Sequence, residues 1–193
     1  MTAAVDWTGQ LHDQLDFHWR HSLRPRLEGL TDDEYLWEPV AGTWSIRRRA
    51  EAHTSHAAGG GELVIDYAMP EPEPAPVTTI AWRLGHLVVS CLAMRTASHF
   101  GGPAVDHATW HYAATADEAL AQLDEQYAAW SAGVAALDEE GLARPCGEAE
   151  GPFAAYPFAA LVLHINREVI HHGGEICLLR DLYLRSDDHQ ESA

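Results

Sequence analysis

The sequence predicts an all-α protein, a four-helix bundle with a long irregular connector between its first and second helices. Three observations carry this expectation. Residues 77–100, 117–137 and 161–183 each repeat apolar side chains at intervals of three and four, the period of one helix face. Residues 6–30 repeat the pattern more weakly. Residues 41–77 lose it and carry prolines and glycines instead, which punctuate rather than continue a helix.

In the first helix, Leu11, Leu15, His18, Ser22 and Arg26 mark one face, and Phe17, Trp19, Leu23 and Leu27 offer apolar contacts. Pro25 interrupts the pattern and kinks or shortens the helix. Gly29 reads as a stop, and Thr31 followed by three acidic residues reads as a new N-cap for a short turn toward Pro39. Within 41–77, residues 62–67 (ELVIDY) read as a short strand and 69–76 (MPEPEPAP) as extended chain. A long non-helical segment in a compact domain is often a lid or a binding loop. Arg47, Arg48 and Arg49 form the dense basic cluster of the chain. They read either as a solvated loop or as a patch that binds the carboxylate of a substrate.

The second helix has Thr78 or Thr79 as its N-cap, with Ile80, Leu84, Leu87, Cys91 and Met94 as its main stripe. His86 lies on the flank of that stripe, as a satisfied core histidine or as a ligand. A loop over 101–116 holds His107, Trp110, His111 and Tyr112, which either overhang a pocket or pack on the surface. The third helix carries Leu120, Leu123, Tyr127, Trp130 and Val134 on one face, and a Gly/Pro-containing connector over 141–157 leads to the fourth.

The fourth helix holds the chemistry. Leu161, Ile165, Glu168, His172, Ile176, Leu179 and Tyr183 share one face. Five are core-type residues, but Glu168 and His172 stand between them, one turn apart. A carboxylate and an imidazole in an apolar seam are costly unless satisfied. A hydrogen-bonded pair satisfies them, and so does a divalent ion shared by side chains at i and i+4. His164 extends the polar face, and His171 adds a second imidazole. Gly173 and Gly174 follow, each costing about 1 kcal/mol against Ala in a helix interior. They suggest close packing, ligand access or a kink. Sites in helical bundles are built from inward side chains on facing helices, which joins His86 to Glu168 and His172.

The 193 residues suit one domain, read as 1–185 with a polar tail over 186–193. Acidic residues outnumber basic ones 29 to 12, for a formal charge of −17, which argues against nucleic acid or an anionic membrane as partner. With no long apolar run and no signal-type N-terminus, the expected location is the cytoplasm. Cys91, Cys146 and Cys177 are odd in number and far apart, so neither a disulfide framework nor a CxxC zinc motif is expected.

The segments TTIAWRLGHL and HINREVIHHGGEICLLRD, with a long amphipathic helix between them, resemble the DinB-like superfamily of metal-binding four-helix bundles. They look nearest to the branch with mycothiol-dependent maleylpyruvate isomerase. In that branch a histidine of helix two joins a Glu-x3-His pair of helix four, so the resemblance implies His86, Glu168 and His172 as metal ligands. Glu175 stands where Gln or His is more usual. The resemblance further implies a divalent metal, Zn²⁺ ahead of Ni²⁺ or Fe²⁺, and a mycothiol-like low-molecular-weight thiol that attacks a small electrophile as a transferase or isomerase. His164 or His171 would then act as a general base or orient a ligand. Two other readings stay open: hydrolysis by metal-activated water, and a bundle that binds metal or small ligand without turnover. A homodimer is the expected assembly if there is one.

Overall fold

The computed structural model describes residues 5–52 and 54–186, so the tail expected to fray lies, beyond Ser186, outside the described residues. Most of the described chain is helical. Helix α1 spans 7–26: an α-helical run Trp7–His18, a π-helical run Trp19–Leu23 and a last turn Arg24–Arg26. Asp6 caps it by accepting from the Gly9 amide at 2.9 Å. Leu11, Leu15, Trp19, Leu23 and Leu27 recur every four residues and are buried. Pro25 continues the helix from the π-helical run, but the helix stops one residue later at Arg26, short of the expected residue 30.

Helix α2, Asp32–Leu36, is capped by Thr31 and followed by an irregular stretch to residue 79. Inside it, strand β1 (Ile46–Arg48) pairs antiparallel with β2 (Leu63–Ile65), Ile46 opposite Ile65. The strand expected over 62–67 is therefore present but shorter. Asp66, fully buried, is the hub of this stretch. It accepts from Arg47 Nε at 2.7 Å, Ser45 N at 3.0 Å and Thr54 Oγ1 at 3.1 Å. Its carbonyl accepts from Trp82 Nε1 at 2.8 Å, which ties the stretch to the next helix.

Helix α3 spans 80–100, with α-helical ends Ile80–His86 and Met94–Phe100 around a π-helical run Leu87–Ala93. Thr79, not Thr78, is its N-cap. Helix α4 is Ala116–Ala135, capped by Thr115; α5 is the short Glu139–Ala143; α6 is Phe158–Tyr183. A 3₁₀ run, Glu148–Phe153, precedes α6. The four long helices enclose one apolar core, with α1 and α3 each packing on both α4 and α6.

The buried face of α6 is rotated from the expected seam. Val162, Asn166, Val169 and Gly173 are also buried, so the face centres between Ile165 and Val169, and Glu168 lies at its edge with 23% of its side chain exposed. Gly173 is where α6 meets α1: a Cβ there would lie 3.0 Å from both Leu23 methyls, whereas Gly174 faces open space. Close packing thus explains the first glycine and not the second.

Candidate metal centre

Adjacent helices bring the ligand candidates together. His86 ends the first α-helical run of α3, and Glu168 and His172 face it from α6. One donor atom from each can be chosen so that all three lie within 4.8 Å of one another. Glu168 Oε2 is 3.3 Å from His172 Nε2 and 4.0 Å from His86 Nε2, and the two rings meet edge to face at 4.8 Å.

The hydrogen bonds around His172 define what this arrangement needs. Its Nδ1 is 2.6 Å from Glu175 Oε2, a contact that only an Nδ1–H donor makes favourable. Arg83 Nη1 also lies 3.2 Å from Nδ1, but a nitrogen that carries a proton cannot accept from it. Arg83 instead balances Glu175, its Nε 3.1 Å from Oε2, a charge pair not aligned as a hydrogen bond. With Nδ1 protonated, a neutral His172 turns the Nε2 lone pair toward a carboxylate oxygen. Two acceptors at 3.3 Å require a positive species between them, either a second ring proton or a cation.

His86 completes the case for the cation. Burial above all pushes its pKa down to about 3, so it is neutral with a ligand lone pair at pH 7. Trp82 stacks on it at 5.4 Å and 8°, fixing the ring plane. Cys91 Sγ lies 3.6 Å from Nε2, and burial pushes that thiol up to about 12, so it stays protonated. Two imidazoles and one carboxylate suit a divalent ion such as Zn²⁺, which would take the place of any proton on His172 Nε2, and leave an open position. A competing triplet, His171, His172 and Glu175, is less suited: His171 is 63% exposed, and the 2.6 Å bond already occupies His172 Nδ1.

His86 also borders a cavity of about 490 Å³, whose wall includes Trp82, Ser90, His107 and Tyr67. Ser90 Oγ is 2.7 Å from His107 Nε2, and His107 Nδ1 is 2.6 Å from Tyr112 Oη, a side-chain chain that pins the 101–115 loop over α3. Burial holds His107 below its ordinary pKa and Tyr112 above its own. The loop therefore overhangs a pocket through His107.

The remaining sequence candidates fall at the margins. His164 Nδ1 is 3.4 Å from Glu168 Oε1 and 2.7 Å from Arg167 Nη2, and His171 Nε2 is 3.4 Å from Glu175 Oε1. Both touch the carboxylates from outside, and neither lines the His86 cavity. The arginine cluster lies apart from the His86 cavity. Arg47 is spent on Asp66, Glu38 and the Thr43 carbonyl; Arg49 on the Gly59 and Gly61 carbonyls; Arg48 reaches Glu62 in solvent. None lines the cavity, because folding the connector consumes two of them as internal braces. Trp82 and Cys91 reach His86 from within α3, four and five residues away, whereas Arg83 gains its role only where α6 brings Glu175 to it. For Arg83 the spacing to His86 was the one available signal.

A model of the DinB superfamily matches residues 14–176, which include His86, Glu168 and His172. No curated protein and no solved structure matches the chain.

Proposed function

We propose that this chain, which belongs to the DinB superfamily, is a metal-dependent enzyme that uses a low-molecular-weight thiol on a small electrophile, as an S-transferase or isomerase. In this reading the four long helices are the family's four-helix bundle and the irregular stretch between α1 and α3 is its connector. Zn²⁺ is the favoured ion, with Ni²⁺ and Fe²⁺ suited to the same N and O donors. The Glu168-x3-His172 pair with His86 favours the branch with mycothiol-dependent maleylpyruvate isomerase, and hence a mycothiol-like thiol. The observation that carries the reading is the convergence of His172 Nε2 and Glu168 Oε2, 3.3 Å apart, beside a neutral His86.

When bound, the ion supplies the positive charge that keeps a thiol as its thiolate at neutral pH. The chain's own residues do the rest. His86, Glu168 and His172 would hold the ion, and Glu175 fixes the His172 tautomer by accepting from Nδ1. Arg83 offsets the charge of Glu175 beside the donor set. The 490 Å³ cavity gives a small molecule access to His86, and Ser90 and His107 meet its polar groups there. The same Ser90–His107–Tyr112 chain favours a second reading, hydrolysis, because it puts an imidazole on the cavity wall. Turnover of an ester without added thiol would select it.

The deciding experiment is the metal content of untagged protein purified without chelator, for wild type and His86→Ala, Glu168→Ala and His172→Ala. The expected result is about one ion per chain in the wild type and loss in all three variants. Wild type that is metal-free and cannot be loaded with Zn²⁺ would remove the enzymatic reading. Given a loaded site, a Co²⁺-substituted spectrum that shifts on adding thiol supports the thiol, and one that no thiol moves argues against it.

A further inference from the structure

A second cavity, of about 570 Å³, opens along the N-terminal half of α6, and its size is that of a small-molecule site. Its wall includes Arg95 of α3, Phe153 and Tyr156 before α6, and Leu161, His164 and Arg167 of α6. Phe153 and Tyr156 are 61% and 54% exposed, with ring centroids 5.7 Å apart at 64°. Two large rings facing water at one cavity offer apolar area that a flat ligand would cover.

Two guanidinium groups face the same space. Arg167 has 68% of its side chain exposed, with Nη2 on His164 Nδ1 and Nε 4.0 Å from Glu168 Oε1. Arg95 is anchored on the Ser90 carbonyl and Glu150, and its buried Nε has no hydrogen-bond partner. Glu150 is the carboxylate of this wall, and it is taken: Arg95 lies 3.3 Å from Oε2 and His99 Nε2 2.9 Å from Oε1. A chain of formal charge −17 thus gathers two arginines and one committed carboxylate around a single apolar hollow.

We propose that this cavity binds a small planar anion, an aromatic carboxylate, with its ring against Phe153 and Tyr156 and its carboxylate on Arg167, backed by Arg95. An arginine fork matches a carboxylate better than it matches the single ring nitrogen it now contacts. His164 lines the cavity and lies 3.4 Å from Glu168 Oε1, so the anion sits one helical turn from the ligand set. Its use there rests on the function proposed above: this cavity would take the anionic substrate and the His86 cavity the thiol. The binding itself requires no metal.

The probe is 2-naphthoate, titrated calorimetrically into the full chain with and without Zn²⁺. Wild type should bind it saturably. Arg167→Gln and Phe153→Ala should each weaken binding about tenfold or more, and neutral 2-naphthamide should bind wild type weaker by a similar factor. Arg48→Gln, which removes an exposed charge outside the cavity, should bind as wild type does. Glu168→Ala should keep naphthoate binding while losing metal, so that failure of the metal reading and failure of this one are told apart. No saturable binding, equal affinity for acid and amide, an unchanged Arg167→Gln, or an equal loss in Arg48→Gln would each overturn the proposal.

Discussion

At the scale of single residues, the decisive feature is a proton. The 2.6 Å bond from His172 Nδ1 to Glu175 places the proton on Nδ1 and holds the ring with Nε2 directed at Glu168. Glu175→Ala should therefore weaken Zn²⁺ binding by about 10- to 100-fold, the usual cost of losing a group that orients a ligand histidine. Glu175→Gln, which can still accept from Nδ1, should lose less. Competition with a colorimetric chelator measures both. His107 gives a second residue-scale expectation, and its sign follows from burial. Its folded pKa is depressed below 6.5, so the unfolded chain takes up the proton first. Its contribution to stability is complete above about pH 6.5 and shrinks as the pH falls below that value. Urea unfolding at pH 7.5 and 5.5 should show a smaller acid-side loss in His107→Gln than in wild type.

At the scale of elements, the connector and the helices are held by different means. The connector buries Trp44, Ile46, Val64 and Ile65 but is organised by Asp66, whose carboxylate is fully buried and paired with Arg47. Arg47→Ala strands that charge and should cost about 3–5 kcal/mol, read as a lower urea midpoint at unchanged slope. At the far end, Arg180 of α6 grips Glu34 of α2 with two hydrogen bonds, 2.6 and 3.1 Å, in a buried pair that closes α2 onto the bundle end of α6. The α3–α4 contact is set by a glycine instead. A Cβ on Gly133 would meet the Phe100 ring at 2.2 Å. Gly133→Ala should thus destabilise by about 1–3 kcal/mol through overpacking, despite the better helix propensity of Ala, and thermal unfolding tests the sign.

At the scale of the whole molecule, ligand and fold are coupled because the ion would bridge α3 and α6. Zn²⁺ at about a thousand times its dissociation constant should add about 4 kcal/mol to unfolding, and Glu168→Ala should abolish the gain. Calorimetric melts at fixed protein concentration check both. No helix among the described residues is long and apolar enough to cross a membrane.

Much of this architecture was legible in the chain itself. Leu120, Leu123, Tyr127, Trp130 and Val134 mark the buried face of α4 by spacing alone, and all are buried. Thr31 and Thr79 cap helices because a short side-chain oxygen before a helical run has an amide to accept from. The Glu168-x3-His172 pair was visible because helical periodicity is local, and so was the helix that carries it. What periodicity could not give was rotation and partnership. The buried face of α6 turns toward Val169 because α1 approaches at Gly173, which no spacing within α6 reports. The grouping at Glu168 depends on a ring orientation set by Glu175 and on His86 from another helix. The arginine cluster became scaffold because Asp66, nineteen residues on, reached it first. The sequence by itself determined the helices, their caps and the residue types that can hold an ion. Only the tertiary structure decided which side chains meet, since those distances arise between elements far apart in the chain.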